Sequence, residues 1–147
     1  MFHKVKSVIA QEPFILIVSF AEGATKRYDA GRLIGTVSAF SYFEGSPEAF
    51  LDVTVDPGGY GISWNDDLDL SCEELWDRGE VLHTRFDGIV ALSDATQAWG
   101  LNESTLRKAI ARGRLIPGID VNKYGKQWVV STESMKREYG EPQVKTA

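Results

Sequence analysis

The sequence predicts an α+β protein in which a small N-terminal antiparallel β-sheet plus helix module is joined to a mostly α winged helix-turn-helix module. Three observations predict it. Short alternating apolar runs separated by turn signals fill the first eighty residues, and Leu92 to Leu115 reads as two short helices broken at Trp99-Gly100-Leu101. The charge is also unevenly divided. Residues 1–82 hold six Lys/Arg against fourteen Asp/Glu, whereas residues 83–147 hold ten against seven, within a net charge of −5.

Composition narrows the class. With 43% hydrophobic and 25% charged residues among 147, the chain is an ordinary globular one. Its longest apolar run, Phe14 to Phe20, is strand length and far below the ~18 residues that cross a bilayer. The N-terminus lacks a long apolar core followed by a cleavage site. A cytoplasmic protein with no membrane partner is expected. Cys72 is the single cysteine, so an intrachain disulfide is excluded; it reads as a small residue on a helix face rather than a nucleophile. Only His3 and His83 could serve it as a base, and they read as a strand residue and a linker residue.

In chain order, Lys4 to Ile9 alternates as a strand that Glu12-Pro13 ends, and Phe14 to Phe20 forms a central strand. Glu22-Gly23 turns the chain into Ala24 to Tyr28, the hairpin partner. Asp29 caps a short stretch over Gly31 to Gly35, and an apolar segment, Val37 to Phe43, ends at Gly45-Ser46-Pro47. Phe50 to Val55 alternates as a strand, Asp56-Pro57-Gly58-Gly59 turns, and Tyr60 to Trp64 pairs back. Asn65 to Leu70 leads into a helix that Ser71 caps, with Glu74 completing a capping box and Arg78-Gly79 as the stop.

Tyr28-Asp29, the spacing Phe50-x-x-Val53-x-Val55-Asp56 and above all the block Ile62 to Ser71 (ISWNDDLDLS) carry a resemblance. Over nearly all of residues 1–82, the chain resembles the family catalogued as domain of unknown function 2442. The resemblance implies a small α+β fold in bacterial proteins, sometimes fused to a helix-turn-helix and sometimes encoded beside toxin–antitoxin-like partners. It implies no established chemistry.

Asp66, Asp67 and Asp69 follow Asn65 at the alternate spacing of a calcium loop, but Leu70 stands where glycine is needed and Trp76 where the closing glutamate is needed. They read better as carboxylates that cap the following helix and favour its positive end. No metal, cofactor or catalytic residue is expected, and the chain reads as a non-enzyme.

Glu80 to Gly88 has no clean periodicity, so the division falls at 1–82, a linker at 83–87, a winged helix-turn-helix at 88–140 and a disordered tail at 141–147. Ile89 to Leu92 enters the second core. Ser93 caps helix one, Asp94 to Trp99, with Ala95, Ala98 and Trp99 inside; Gly100 takes the tight turn. Asn102 caps helix two, where Leu106, Ala109 and Ile110 face inward and Glu103, Ser104, Arg107, Lys108 and Ala111 face out. Arg112-Gly113-Arg114 stops it. Leu115 to Val121 and Lys126 to Val130 read as wing strands joined at Asn122 to Gly125, with two lysines at the tip. Ser131 or Thr132 caps a last helix to about Tyr139.

Leu101-Asn102-x-Ser104-Thr105-Leu106, Ala111-Arg112-Gly113-Arg114-Leu115 and Trp128 resemble the excisionase and MerR-like winged helix-turn-helix class over roughly 88–139. That resemblance implies a recognition helix carrying Ser104, Thr105, Arg107 and Lys108, with Arg112 and Arg114 at its end and Lys123 and Lys126 on the wing, all as contacts to double-stranded DNA. The reading that follows is a DNA-binding transcriptional regulator, dimeric because one small module offers few contacts. Its acidic module, residues 1–82, would hold a homodimer or a protein partner; a toxin-like partner would make it an autoregulating antitoxin-like repressor. The alternative is a protein-interaction adaptor that uses the helix-turn-helix fold without DNA, which a pI near 5.0 favours.

Overall fold

The structure, a computed structural model, describes residues 2–142. The tail expected over 141–147 lies outside the described residues from 143 onward. Two compact units form, one from residues 2–20 and 24–84, the other from residues 85–142 together with the hairpin tip at 21–23.

In the first unit, β1 (Val5–Gln11), β2 (Ile15–Phe20) and β3 (Thr25–Asp29) run antiparallel, joined by the expected turns. Leu16, Val18 and Phe20 share one face of β2 by the period of two, and all three are buried. A fourth strand, β7 (Glu80–Leu82), pairs with Thr25 to Arg27. Three residues cannot display a period, which is why the sequence left this stretch without a strand. Ala30, not Asp29, stands at the cap of α1 (Gly31–Ile34), and Asp29 Oδ1 accepts the Gly31 N–H at 2.9 Å from one residue earlier.

Two expectations for this unit are corrected. Phe50 to Asp52 is not strand but the end of a 3-10 segment, Pro47–Asp52, that follows α2 (Tyr42–Gly45), and only Thr54–Val55 extends as β4. Proline at the start of that segment favours the helical turn. The Phe50 ring is buried edge-on against Phe14 and Phe43, and its carbonyl accepts the Trp64 indole N–H at 2.8 Å rather than a strand partner. Packing of three aromatic rings outweighs the alternation of Phe50 to Val55.

The second correction concerns the acidic run. It forms a hairpin before the helix that follows Ser71: β5 (Gly61–Asn65) turns at Asp66-Asp67 into β6 (Leu68–Ser71), which completes a second sheet, β4-β5-β6. Asn65 Oδ1 accepts the N–H of Asp67 at 2.8 Å and of Leu68 at 3.1 Å, an Asx turn that closes the hairpin. Leu68 and Leu70 then bury on alternate positions while Asp69 stays exposed. Asp66 and Asp67 therefore belong to a hairpin tip and do not cap the helix. Ser71 does: its Oγ accepts the Glu74 N–H at 3.1 Å at the start of α3 (Cys72–Arg78). The Glu74 carboxylate accepts the hydroxyl of fully buried Tyr28 at 2.7 Å, tying α3 to β3. Cys72 is buried on α3, and burial pushes its thiol up, as suits a packing residue.

The second unit has its own core, built from Val90, Leu92, Trp99, Leu106, Leu115 and Met135 among others. β8 (Ile89–Ala91) pairs antiparallel with β10 (Gln127–Ser131), which pairs with β9 (Val121–Tyr124). Between β8 and β9 run α4 (Leu92–Trp99) and α5 (Glu103–Ala111), and α6 (Thr132–Tyr139) closes the unit. α4 starts earlier than expected, so Ser93 lies inside its first turn and Ala91 stands at the cap. Gly100 adopts φ 65°, ψ 35°, the left-handed conformation that lets α4 turn into α5. Asn102 has the extended backbone of a cap, with no side-chain cap bond. The first wing strand is shorter than expected. Pro117 and Gly118 keep residues 116–120 in an irregular loop, with strand only from Val121, and the wing turns at Gly125-Lys126. The Ser131 cap is present, accepting the Ser134 N–H at 3.3 Å.

Candidate nucleic-acid interface

α5 is amphipathic by construction. Leu106 and Ala109 bury one side at a spacing of three, and Glu103, Ser104, Arg107, Lys108 and Ala111 are exposed on the other. The αL turn at Gly100 packs α4 behind it, where Ala95 is fully buried and Trp99 nearly so. Trp99 Nε1 donates to the Gly140 carbonyl at 2.7 Å, fastening the end of α4 to the end of α6.

The eight residues expected at the interface fall into three groups. Ser104, Arg107 and Lys108 lie on the exposed face of α5, with Thr105 half-buried at its edge. Arg107 Nη2 is paired with Glu103 Oε1 at 2.8 Å, one helical turn back, with both side chains about half exposed. Arg112 caps α5, and Arg114 follows it with Nε on Glu138 Oε1 at 3.1 Å. Lys126 occupies the wing turn, while Lys123 lies back on β9 with its Nζ 5.7 Å from the centroid of the Trp128 ring. The expected pair of lysines at the tip is thus a single lysine at the tip and one on the strand.

A polar centre that sequence reasoning missed supports the loop after α5. Asp120 is 3% exposed. Its Oδ2 accepts the Ile116 N–H at 2.8 Å; its Oδ1 accepts Ser134 Oγ at 2.6 Å and Arg137 Nη1 at 3.0 Å. These donors hold the carboxyl well below the usual carboxylate range, with the Arg137 hydrogen bond foremost. Arg137 also donates through Nη2 to the Arg114 carbonyl at 3.3 Å and through Nε to Glu138 Oε2 at 3.0 Å. Glu138 therefore bridges two arginines, and the Arg-Gly-Arg segment is anchored to α6. The Pro-Gly pair just before Asp120 marked a turn, but its partners lie 14 and 17 residues away, beyond any local signal.

Elsewhere on this unit, Ile89, Ile119 and Tyr124 are exposed and line a hollow of about 210 Å³ beside the edge strand β9. Among the described residues, no group of three or more metal-ligating side chains converges, and no helix is long and apolar enough to cross a membrane.

Comparison with known proteins follows the same division. The family model described as Protein of unknown function (DUF2442) matches residues 5–80, and that described as Helix-turn-helix domain matches residues 83–144. No curated protein matches the chain. Among solved structures, the chain is similar to a crystal structure from Nitrosomonas europaea of a protein named as a candidate DNA-binding protein. The two share 16% identity over 78% of this chain and 79% of that one, with a TM-score of 0.44.

Proposed function

We propose that this chain, which belongs to the DUF2442 family of proteins of unknown function and carries a helix-turn-helix domain behind that module, is a DNA-binding protein. The observation that carries the reading is α5. Its outer face offers Ser104, Arg107 and Lys108 to solvent while its inner face is locked into the core, in the half of the chain where basic residues outnumber acidic ones. A helix so held fits the major groove, with its hydroxyl and basic side chains at base edges and phosphates. The matched helix-turn-helix model agrees with it.

In its finer form, the protein is a cytoplasmic, non-enzymatic transcriptional regulator that binds as a dimer. One small module buries too little surface for a specific site, and the acidic first half lowers indiscriminate attraction to phosphate. An antitoxin-like role is the narrowest version, resting on a protein partner for residues 1–82. A second reading, an adaptor that meets protein alone, is favoured by the exposed Ile89, Ile119 and Tyr124 beside β9. Titrating short duplexes with the protein at several salt concentrations separates the two. A DNA reader loses affinity steeply as salt rises, and an adaptor shows no duplex binding.

A further inference from the structure

Thr105, Lys108, Ala109 and Arg112 recur along one shoulder of α5 and form one wall of a cleft of about 130 Å³. Arg114 and Tyr139 complete its lining. At ~30 Å³ per water, such a cleft has room for a group the size of a phosphate. Its chemistry is that of an anion seat. Among the described residues, Lys108 and Arg112 have no acidic partner, the two Nη groups of Arg114 have no partner, and the Tyr139 hydroxyl has none. Three cationic residues and a tyrosine thus line the cleft, with the Arg114 side chain held through Nε by Glu138 at 3.1 Å.

The position of the cleft matters as much as its charge. A helix lying in a DNA groove has the sugar–phosphate backbone along its shoulders, while the residues at its crest meet the bases. Ser104 lies at the crest with Arg107 and Lys108 flanking it, and Arg112 and half-buried Thr105 lie toward the shoulder on the Lys108 side. Building on the DNA-binding reading above, we propose that this cleft seats one phosphate of the DNA backbone, with Tyr139 donating to it directly and Glu138 as the positioning residue that aims Arg114. The support of Glu138 is structural: its second oxygen takes Arg137, which is fixed in turn by buried Asp120. Arg114 is therefore oriented before DNA arrives, and less of its side-chain entropy remains to be lost on binding.

Full-length native protein and three variants, titrated with a short duplex over a salt series, test this. Tyr139→Phe removes one oxygen and keeps the ring, so its melting temperature should stay native while duplex affinity falls about fivefold, the worth of one hydrogen bond of ~1 kcal/mol. Arg112→Ala should lower the slope of log K against log salt by about one. Glu138→Gln removes a negative charge beside the cleft, so charge alone predicts tighter binding; the proposal predicts weaker binding. If native protein binds duplex and Tyr139→Phe matches it, or Glu138→Gln binds more tightly, the phosphate seat is overturned while the DNA-binding reading stands. No duplex binding by native protein overturns both. A melting shift with inorganic phosphate in a protein that binds no duplex would assign free phosphate to the cleft and overturn DNA as its source.

Discussion

Asp120 holds Arg137: a nearly buried carboxylate accepts the guanidinium Nη1 at 3.0 Å, from a loop onto the last helix. Through this pair the irregular residues 116–120 are fixed to α6, and α6 in turn carries Glu138 and Tyr139 toward the end of α5. The support of the segment after α5 is thus polar and specific, not only apolar.

Replacing Asp120 with alanine leaves the Ser134 hydroxyl and the Ile116 N–H without their acceptor and frees Arg137. Denaturant unfolding should show a loss of about 2 kcal/mol, the range for leaving the buried Ser134 hydroxyl and the Ile116 N–H without their acceptor. A loss below ~1 kcal/mol would mean that these contacts contribute no more than an exposed pair.

The same residue sets an acid dependence. Its folded pKa lies below its unfolded value of 3.8, so its stabilisation is full above that value and is lost as pH falls below it. Thermal melting between pH 6 and pH 2 should therefore show a steeper acid decline in native protein than in Asp120→Asn, at about the resolution of one titrating group. Parallel curves for the two proteins would remove Asp120 as the source.

Tyr28 and Glu74 predict an effect at the other end of the pH scale. Burial, and then the hydrogen bond to Glu74, push the Tyr28 hydroxyl up to about 12. A folded value raised above the unfolded 10.0 means stability that is complete below pH 10 and lost as pH rises toward 12. Phenolate absorbance should show one tyrosine titrating late, and Tyr28→Phe should abolish that phase at a cost of about 1 kcal/mol.

Glu103 holds Arg107 one turn away on the exposed face of α5. If Arg107 meets DNA, Glu103 competes with phosphate for it and repels the duplex. Glu103→Gln should tighten duplex binding about threefold, a change well within the ~1 kcal/mol of an exposed pair. Weaker binding would place Glu103 itself among the base contacts, as an acceptor for cytosine.

What was legible in the sequence depended on how local its cause is. The strands at Val5–Gln11 and Ile15–Phe20, the Ser71 and Ser131 caps, the Gly100 turn and the buried face of α5 all follow from neighbours within four residues, and each is present. Phe50 to Asp52 and Asn65 to Leu70 were misread because distant contacts decided them. Three aromatic rings around Phe50 outweighed a strand pattern, and backbone pairing of Leu68–Ser71 with β5 outweighed a helix lead. The basic face of α5 was visible as a pattern of residues. The Asp120 centre and the part played by Tyr139 were not, because their partners lie in another helix and no spacing rule connects them.

The most direct measurement is the salt dependence of duplex binding by native protein against the Arg107→Ala/Lys108→Ala double variant. The account predicts a steep decline of affinity with salt in the native protein, and lower affinity with a shallower slope in the double variant. Equal affinity and equal slope in the two proteins would contradict it, since α5 would then not be the surface that meets DNA.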